Sequence, residues 1–196
     1  MTKNVIISVY DKTDLDIIDK FLIKKKFTIY STGGTSDFLK KNNIPHIEIS
    51  KYTKQKEILG GRVKTLHPKI FGGLLGTQSQ AHQKELQSEK IVNFDMLIIN
   101  LYPFEETIKK TNKSDEIIEM IDIGGHSLIR AAIKNFTKTI PIVSPADYKQ
   151  IIRKLPKSIN EKKKYALTAL QHITQYDIAI TNWFQGIKTD EYPLRY

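Results

Sequence analysis

The sequence predicts an α/β fold built on a mainly parallel central sheet flanked by helices. Three observations carry this expectation. Short β-branched runs alternate along the chain with helix-patterned stretches, the layout of successive βα units. Eight of the ten glycines fall in doublets (Gly33 and Gly34, Gly60 and Gly61, Gly72 and Gly73, Gly124 and Gly125), which marks tight turns or close backbone approach rather than linker. A length of 196 residues with no cysteine suits one domain that must be held by its own core, without disulfides or thiolate metal sites.

Taken in order, the first strand is expected over residues 5–9 and the first helix over 14–25. Thr13 and Asp16 stand in capping-box spacing there, and Leu15, Ile18 and Leu22 form the buried stripe. A strand over 27–30 leads into a helix after the Gly33 doublet. A strand over 46–49, a helix over 81–90 and a strand over 96–100 follow. A helix starting near Gly125 places His126, Arg130 and Lys134 on one face, and a fifth strand covers 139–143. The last helix, over 160–187, carries the apolar stripe Ala166, Ala169, Leu170, Ile173, Ile180, Trp183 and Ile187. At 1.5 Å per residue it is about 40 Å long, more than its own sheet needs, so part of it is expected against a second subunit.

Thirty-one Lys and Arg against 21 Asp and Glu leave a net charge of +10. A polyanion partner is one reading of that surplus. Only Arg62, Arg130, Arg153 and Arg195 are arginines, however, and no aromatics interleave with the lysine runs at 24–26 and 162–164, so nucleic acid is not the expected partner. No run of 18 apolar residues and no signal-peptide layout occurs, so a cytoplasmic protein without a membrane partner is expected.

Ligands of open parallel sheets bind beyond the carboxyl ends of strands. The second strand ends in Ser31, Thr32, Gly33, Gly34 and Thr35, leading into a helix. Two hydroxyls, paired glycines and a helix N-terminus make an anion cradle suited to a phosphate monoester, to which Lys12 can add a charge. A plain turn capped by Thr35 competes with that reading. In GGRVKTLHP (60–68), Arg62 and Lys64 face one side if the segment is extended, and the alternative is a solvated basic loop. In IDIGGHSLIRAAIKN (121–135), Asp122 precedes a helix bearing Arg130 and Lys134. A carboxylate near such cations is a candidate proton-transfer pair, set against a surface stripe with a loop Asp.

SVYDKT, YSTGGT, ILGGRVKTLHP with GGLL, NLYPF, IDIGG followed by RAAIKN, and ALTALQHITQYDIAITNWF, in this order, resemble the IMP cyclohydrolase domain of the bifunctional AICAR transformylase/IMP cyclohydrolase family. The resemblance runs from about residue 4 to the end and implies a methylglyoxal synthase-like three-layer fold over 1–190, with 191–196 opening a linker to a transformylase domain absent here. It implies closure of the formylated carboxamide nucleotide FAICAR to inosine monophosphate (IMP), with no metal and no cofactor, in a homodimer. By motif, Lys12, Ser31, Thr32, Gly33, Gly34 and Thr35 bind the phosphate. Arg62, Lys64 and Thr65 contact phosphate or polar groups, Ile99, Asn100 and Tyr102 form a substrate wall, and Asp122 and Gly124 face the base. Lys134, Asp122, Lys64 and Tyr102 are the expected catalytic set.

The chain departs from the family pattern at Phe71, where the family has His, in TKQKE at 53–57, in GTQSQ after GGLL, and at His126. Two other activities remain open on such a fold. One is a methylglyoxal synthase-like phosphate lyase, which needs a carboxylate base at the early strand ends. The other is a non-catalytic module that senses a phosphorylated ligand.

Overall fold

The computed structural model describes residues 3–187. The linker start expected at 191–196, and Arg195 with it, lie outside the described residues. In chain order the elements are β1 (Lys3–Val9), α1 (Leu15–Lys24), β2 (Phe27–Ser31), α2 (Gly33–Lys41), β3 (Ile47–Glu48), α3 (Ile49–Thr53), α4 (Pro68–Leu75) and α5 (Gln80–Ser88). There follow β4 (Met96–Asn100), α6 (Phe104–Lys110), α7 (Ser114–Glu119), α8 (Gly124–Lys134), β5 (Ile140–Ile142), α9 (Tyr148–Arg153) and α10 (Ile159–Phe184).

The five strands form one parallel sheet in the order β3-β2-β1-β4-β5. Alternation along each strand splits the core between its faces. Ile6, Leu97 and Ile99 pack with α4, α8 and α10 residues such as Leu74, Leu128 and Ile173. Val5, Ile7, Met96 and Ile98 pack with Leu15, Ile18, Leu22 and Tyr148 on the other face. The register sets Val9 opposite Asn100 and Ile7 opposite Ser31, so β1, β2 and β4 end along one edge. Chain order reverses direction on either side of β1, which opens a crevice there, where such sheets bind ligands.

Local sequence accounts for the helix starts. Pro68 sits in the first turn of α4, and His67 caps it by accepting the Lys69 N–H at 3.1 Å. Ser158 and Glu161 form a capping box on α10. Gly73 is required by close approach, since a methyl group there would lie 2.3 Å from the Val92 carbonyl oxygen.

Several expectations need correction. The Thr13–Asp16 capping box does not form. Asp14 precedes α1 in a left-handed conformation without a side-chain cap, and the Thr13 hydroxyl bonds Asp11 at 2.7 Å instead. The third strand shrinks to two residues because Ile49, buried in the core, starts a helix. Leu170 is exposed, and Tyr165, Tyr176 and Ala179 complete the buried stripe of α10 in its place. Short helices α3, α4, α6, α7 and α9 were not foreseen, their apolar periodicity being cut short by Pro, Gly or charge.

Candidate active site

A cavity of about 560 Å³ opens at the carboxyl edge of β1 and β4, bounded by the α2 N-terminus, the 60–65 loop and the α7 to α8 turn. Of the residues singled out in the sequence, Lys12, Thr32, Gly34, Thr35, Arg62, Lys64, Thr65, Ile99, Asn100, Tyr102, Asp122 and Gly124 line it.

At one end two ammonium groups converge on the Gly33 doublet. A methyl group on Gly33 would lie 3.4 Å from the Lys64 Nζ, and one on Gly34 would lie 3.9 Å from the Lys12 Nζ. Gly33 holds a left-handed φ of 54°, which turns the chain from β2 into α2 and is cheap only for glycine. The positive end of α2 and two lysines thus meet in one place, a strong setting for a dianion. The hydroxyls are differently employed. Ser31 is fully buried and donates to the Ile7 carbonyl at 2.8 Å. Thr35 accepts the Val9 N–H at 2.9 Å and donates to the Val9 carbonyl at 3.0 Å, and Thr32 donates to Glu57 at 2.6 Å. The cradle therefore offers an anion backbone N–H groups and lysines, with its hydroxyls stitching β2 and α2 to their neighbours.

Asn100 is also a brace. Its Oδ1 accepts the N–H groups of Tyr10 and Asp11 at 2.6 and 2.9 Å, and its Nδ2 donates to the Asp11 carbonyl at 3.0 Å. This fixes the loop that carries Lys12 and presents Tyr10, whose ring stands edge-on to Tyr102 with centroids 5.8 Å apart. Across the cavity lie Ile118, Ile121 and Ile123, so its middle is aromatic and aliphatic. Arg62 does not continue an extended segment, since it follows a 3-10 turn at Leu59–Gly61 in helical conformation. It spans the mouth instead, with its guanidinium on both carboxylate oxygens of Glu119. That pairing raises the Arg62 pKa and holds the Glu119 carboxyl below its usual range.

At the far end, Asp122 Oδ1 accepts the Gly125 N–H at 2.6 Å. Burial pushes its carboxyl above the ordinary Asp value, against the opposing pull of that N–H, Lys64 and His126. His126 contacts Asp177 at 3.0 Å. Two other residues singled out in the sequence stand elsewhere. Lys134 is exposed on the last turn of α8, about 15 Å along the axis from Gly124 at 1.5 Å per residue, and does not line the cavity. Arg130, one face-turn before it, is exposed as well. Phe71 packs against the core on the α4 side. Among the described residues, no cluster of His, Asp or Glu is arranged to hold a metal ion, and no helix is long and apolar enough to cross a membrane.

Sequence reasoning missed Tyr10, Glu57, Glu119 and the isoleucine wall. Tyr10 was findable, since it follows β1 directly. Glu119 carries no local signal, because only the packing of α7 beside the 60–65 loop brings it to Arg62.

The chain belongs to the MGS-like domain family, whose model matches residues 15–127. A second model, the AICARFT/IMPCHase bienzyme, matches residues 132–196. Along nearly its whole length the chain is similar to the IMP cyclohydrolase part of the bifunctional purine biosynthesis protein PurH. It is 43% identical over 186 residues to PurH of Buchnera aphidicola subsp. Schizaphis graminum, covering 93% of this chain and 35% of that protein. With PurH of Prochlorococcus marinus the figures are 40% over 193 residues, 96% and 37%, and with that of Dictyostelium discoideum 41% over 196 residues, 93% and 36%. The chain thus spans less than two-fifths of the length of these relatives. The crystal structure of ForH shares the fold, with a TM-score of 0.83 at 23% identity over 93% of this chain and 97% of that one.

Proposed function

We propose that the domain is an IMP cyclohydrolase that closes FAICAR to IMP. The carboxamide nitrogen attacks the formyl carbon of the same molecule and loses one of its two protons as the C–N bond forms. The formyl C–O bond then breaks, the formamido nitrogen gives up its proton to form the ring C=N, and the oxygen departs as water with those two protons. Nucleophile and electrophile are already tethered, so the enzyme's work is to hold the reactive conformer and move protons. The observation that carries the reading is the polarity of one cavity: a lysine-flanked dianion cradle at Gly33 and Gly34, an apolar middle, and a buried carboxyl at Asp122. A phosphorylated nucleoside with a planar base fits that order.

In this proposal Lys12, Lys64 and the N–H groups at the start of α2 hold the 5′-phosphate. Asp122 exchanges protons with the reacting amide, Tyr102 hydrogen-bonds it, and Gly124 leaves room beside Thr65, whose Oγ1 stands 3.0 Å from where a methyl group would be. Lys64, whose charge acts on Asp122, belongs to both ends. Lys134 has no place in chemistry confined to this cavity. Asp11, the early strand-end carboxylate that a phosphate lyase would use, is committed to the Thr13 N–H and hydroxyl, which keeps its carboxyl below the usual range. A homodimer remains part of the proposal, with exposed Leu167 and Leu170 on α10 available to it.

Incubation with FAICAR, followed by ultraviolet absorbance for IMP, tests the activity. Turnover is expected. Tight IMP binding without turnover would overturn the enzyme reading in favour of a sensor.

A further inference from the structure

The direction of the Asp122 carboxyl is set from another helix. Asp122 lies in the turn between α7 and α8, and Ile123, at the N-cap position before α8, supplies no side-chain cap. One hydroxyl closes that turn. Tyr176, 54 residues further along on α10, accepts the Asp122 N–H at 2.9 Å and donates its own proton to the Met120 carbonyl at 2.5 Å. Its ring is buried, edge-on to Phe104 with centroids 6.1 Å apart and tilted over His126 at 6.4 Å. A buried phenol needs one partner to be satisfied. This one makes two bonds, and both go to the segment that carries the cavity's buried carboxyl.

We infer that Tyr176 is a positioning residue for the cyclisation, holding the 120–122 turn so that Asp122 presents Oδ1 to the Gly125 N–H and its carboxyl to the cavity. The inference rests on the proposed role of Asp122. Burial pushes the phenol up to about 12, so it keeps its proton and both bonds persist across the working pH range. The groups facing Asp122 are Lys64 from the cavity loop, the Gly125 N–H and His126 from α8, and Tyr176 from α10, with Asp177 of α10 paired to His126.

The experiment is Tyr176→Phe in the full chain, read by FAICAR kinetics over pH, IMP affinity, and isotope-edited carbon NMR titration of the Asp122 carboxyl. Loss of the hydroxyl frees the turn and weakens the Gly125 bond while the carboxyl stays buried, so its pKa rises. We expect kcat to fall about tenfold, the size of one lost hydrogen bond. The acid limb of kcat and the NMR titration should both move up by about half a pH unit or more. IMP affinity should stay within about twofold, because the phosphate cradle is on α2. Phe104→Leu, which loosens the ring's packing and leaves both hydroxyl bonds available, should lower Tm without moving the Asp122 titration. An unmoved titration in Tyr176→Phe, or a parallel loss of kcat and IMP affinity, overturns the inference. Absence of FAICAR turnover in the parent chain would defeat the proposed function instead, and the NMR titration would still decide Tyr176.

Discussion

Asp19 sits inside the apolar stripe of α1 with no solvent exposure, and neither of its carboxylate oxygens has a hydrogen-bond partner. Burial, with repulsion from Asp16, pushes its carboxyl from the ordinary 3.8 up to about 7. The native state therefore keeps a proton that the unfolded chain releases near pH 4. Stability from this group is full below that pH, is lost as pH climbs to about 7, and then levels off. At about 1.4 kcal/mol per pH unit the whole loss is roughly 4 kcal/mol, a large share of the 5 to 15 kcal/mol that holds a typical domain. Asp19→Asn keeps the shape and removes the titration, but leaves an unpaired amide that costs about 1 to 3 kcal/mol. The variant should be neutral or weaker at pH 5 and about 1 to 3 kcal/mol more stable at pH 7.5, which for this length is several degrees in Tm. Urea unfolding followed by circular dichroism at both pH values measures the difference between the two proteins, in which every other titrating group cancels. That difference should grow by about 3 kcal/mol over the interval. A difference that does not change with pH would refute the reasoning.

Two further predictions separate residue roles. Lys64→Met should cut FAICAR turnover about a hundredfold or more, through lost charge at the phosphate and beside Asp122, whereas Lys134→Met should keep it within about threefold. Steady-state kinetics of the pair decide it, and a large loss in Lys134→Met alone would show that motif outranks placement here. Gly33→Ala forces a side chain into a left-handed conformation and toward the Lys64 ammonium, so IMP affinity by calorimetry should fall about tenfold or more. Gly34→Ala meets Lys12 only at ordinary contact distance and should bind nearly as the parent does. Equal losses at the two positions would mean that strain at the turn is not what matters.

Much of the fold was legible because its signals are local. β-branched runs located all five strands, and the fourth, residues 96–100, was placed to the residue. The stripe of Leu15, Ile18 and Leu22 is fully buried as its period required. Asp19 belongs to the same stripe, four residues after Leu15, and is fully buried although carboxylates seldom are. What failed was chemistry with several competing partners. Thr13 had a capping position open to it and an Asp two residues back, and the nearer carboxylate won. β3 was cut to two residues by core packing of Ile49, which no window of sequence displays.

The site divides along the same line. Gly33, Gly34, Lys12 and Asp122 were readable because each needs only its own backbone: a positive φ, a strand end, a helix start. Ser31 and Thr35 were read as ligand-facing from their types and Asn100 from the family resemblance, but a hydroxyl or amide next to a strand end is a bonding group for whichever partner is nearer. In the folded chain those partners are Ile7, Val9 and the 10–11 loop. The consequence is mechanical. Thr35 and Asn100 tie α2 and the Lys12 loop to β1 and β4, so the cradle arrives with its N–H groups and lysines already aimed, and little ordering remains to be done when a dianion binds. Removing a bracing hydroxyl would therefore weaken binding by disordering the cradle rather than by deleting a contact. Lys134 stands apart in placement. Its motif places it on the helix that begins at the cavity, and ten residues of α-helical rise set it about 15 Å along the axis from Gly124, outside the cavity lining.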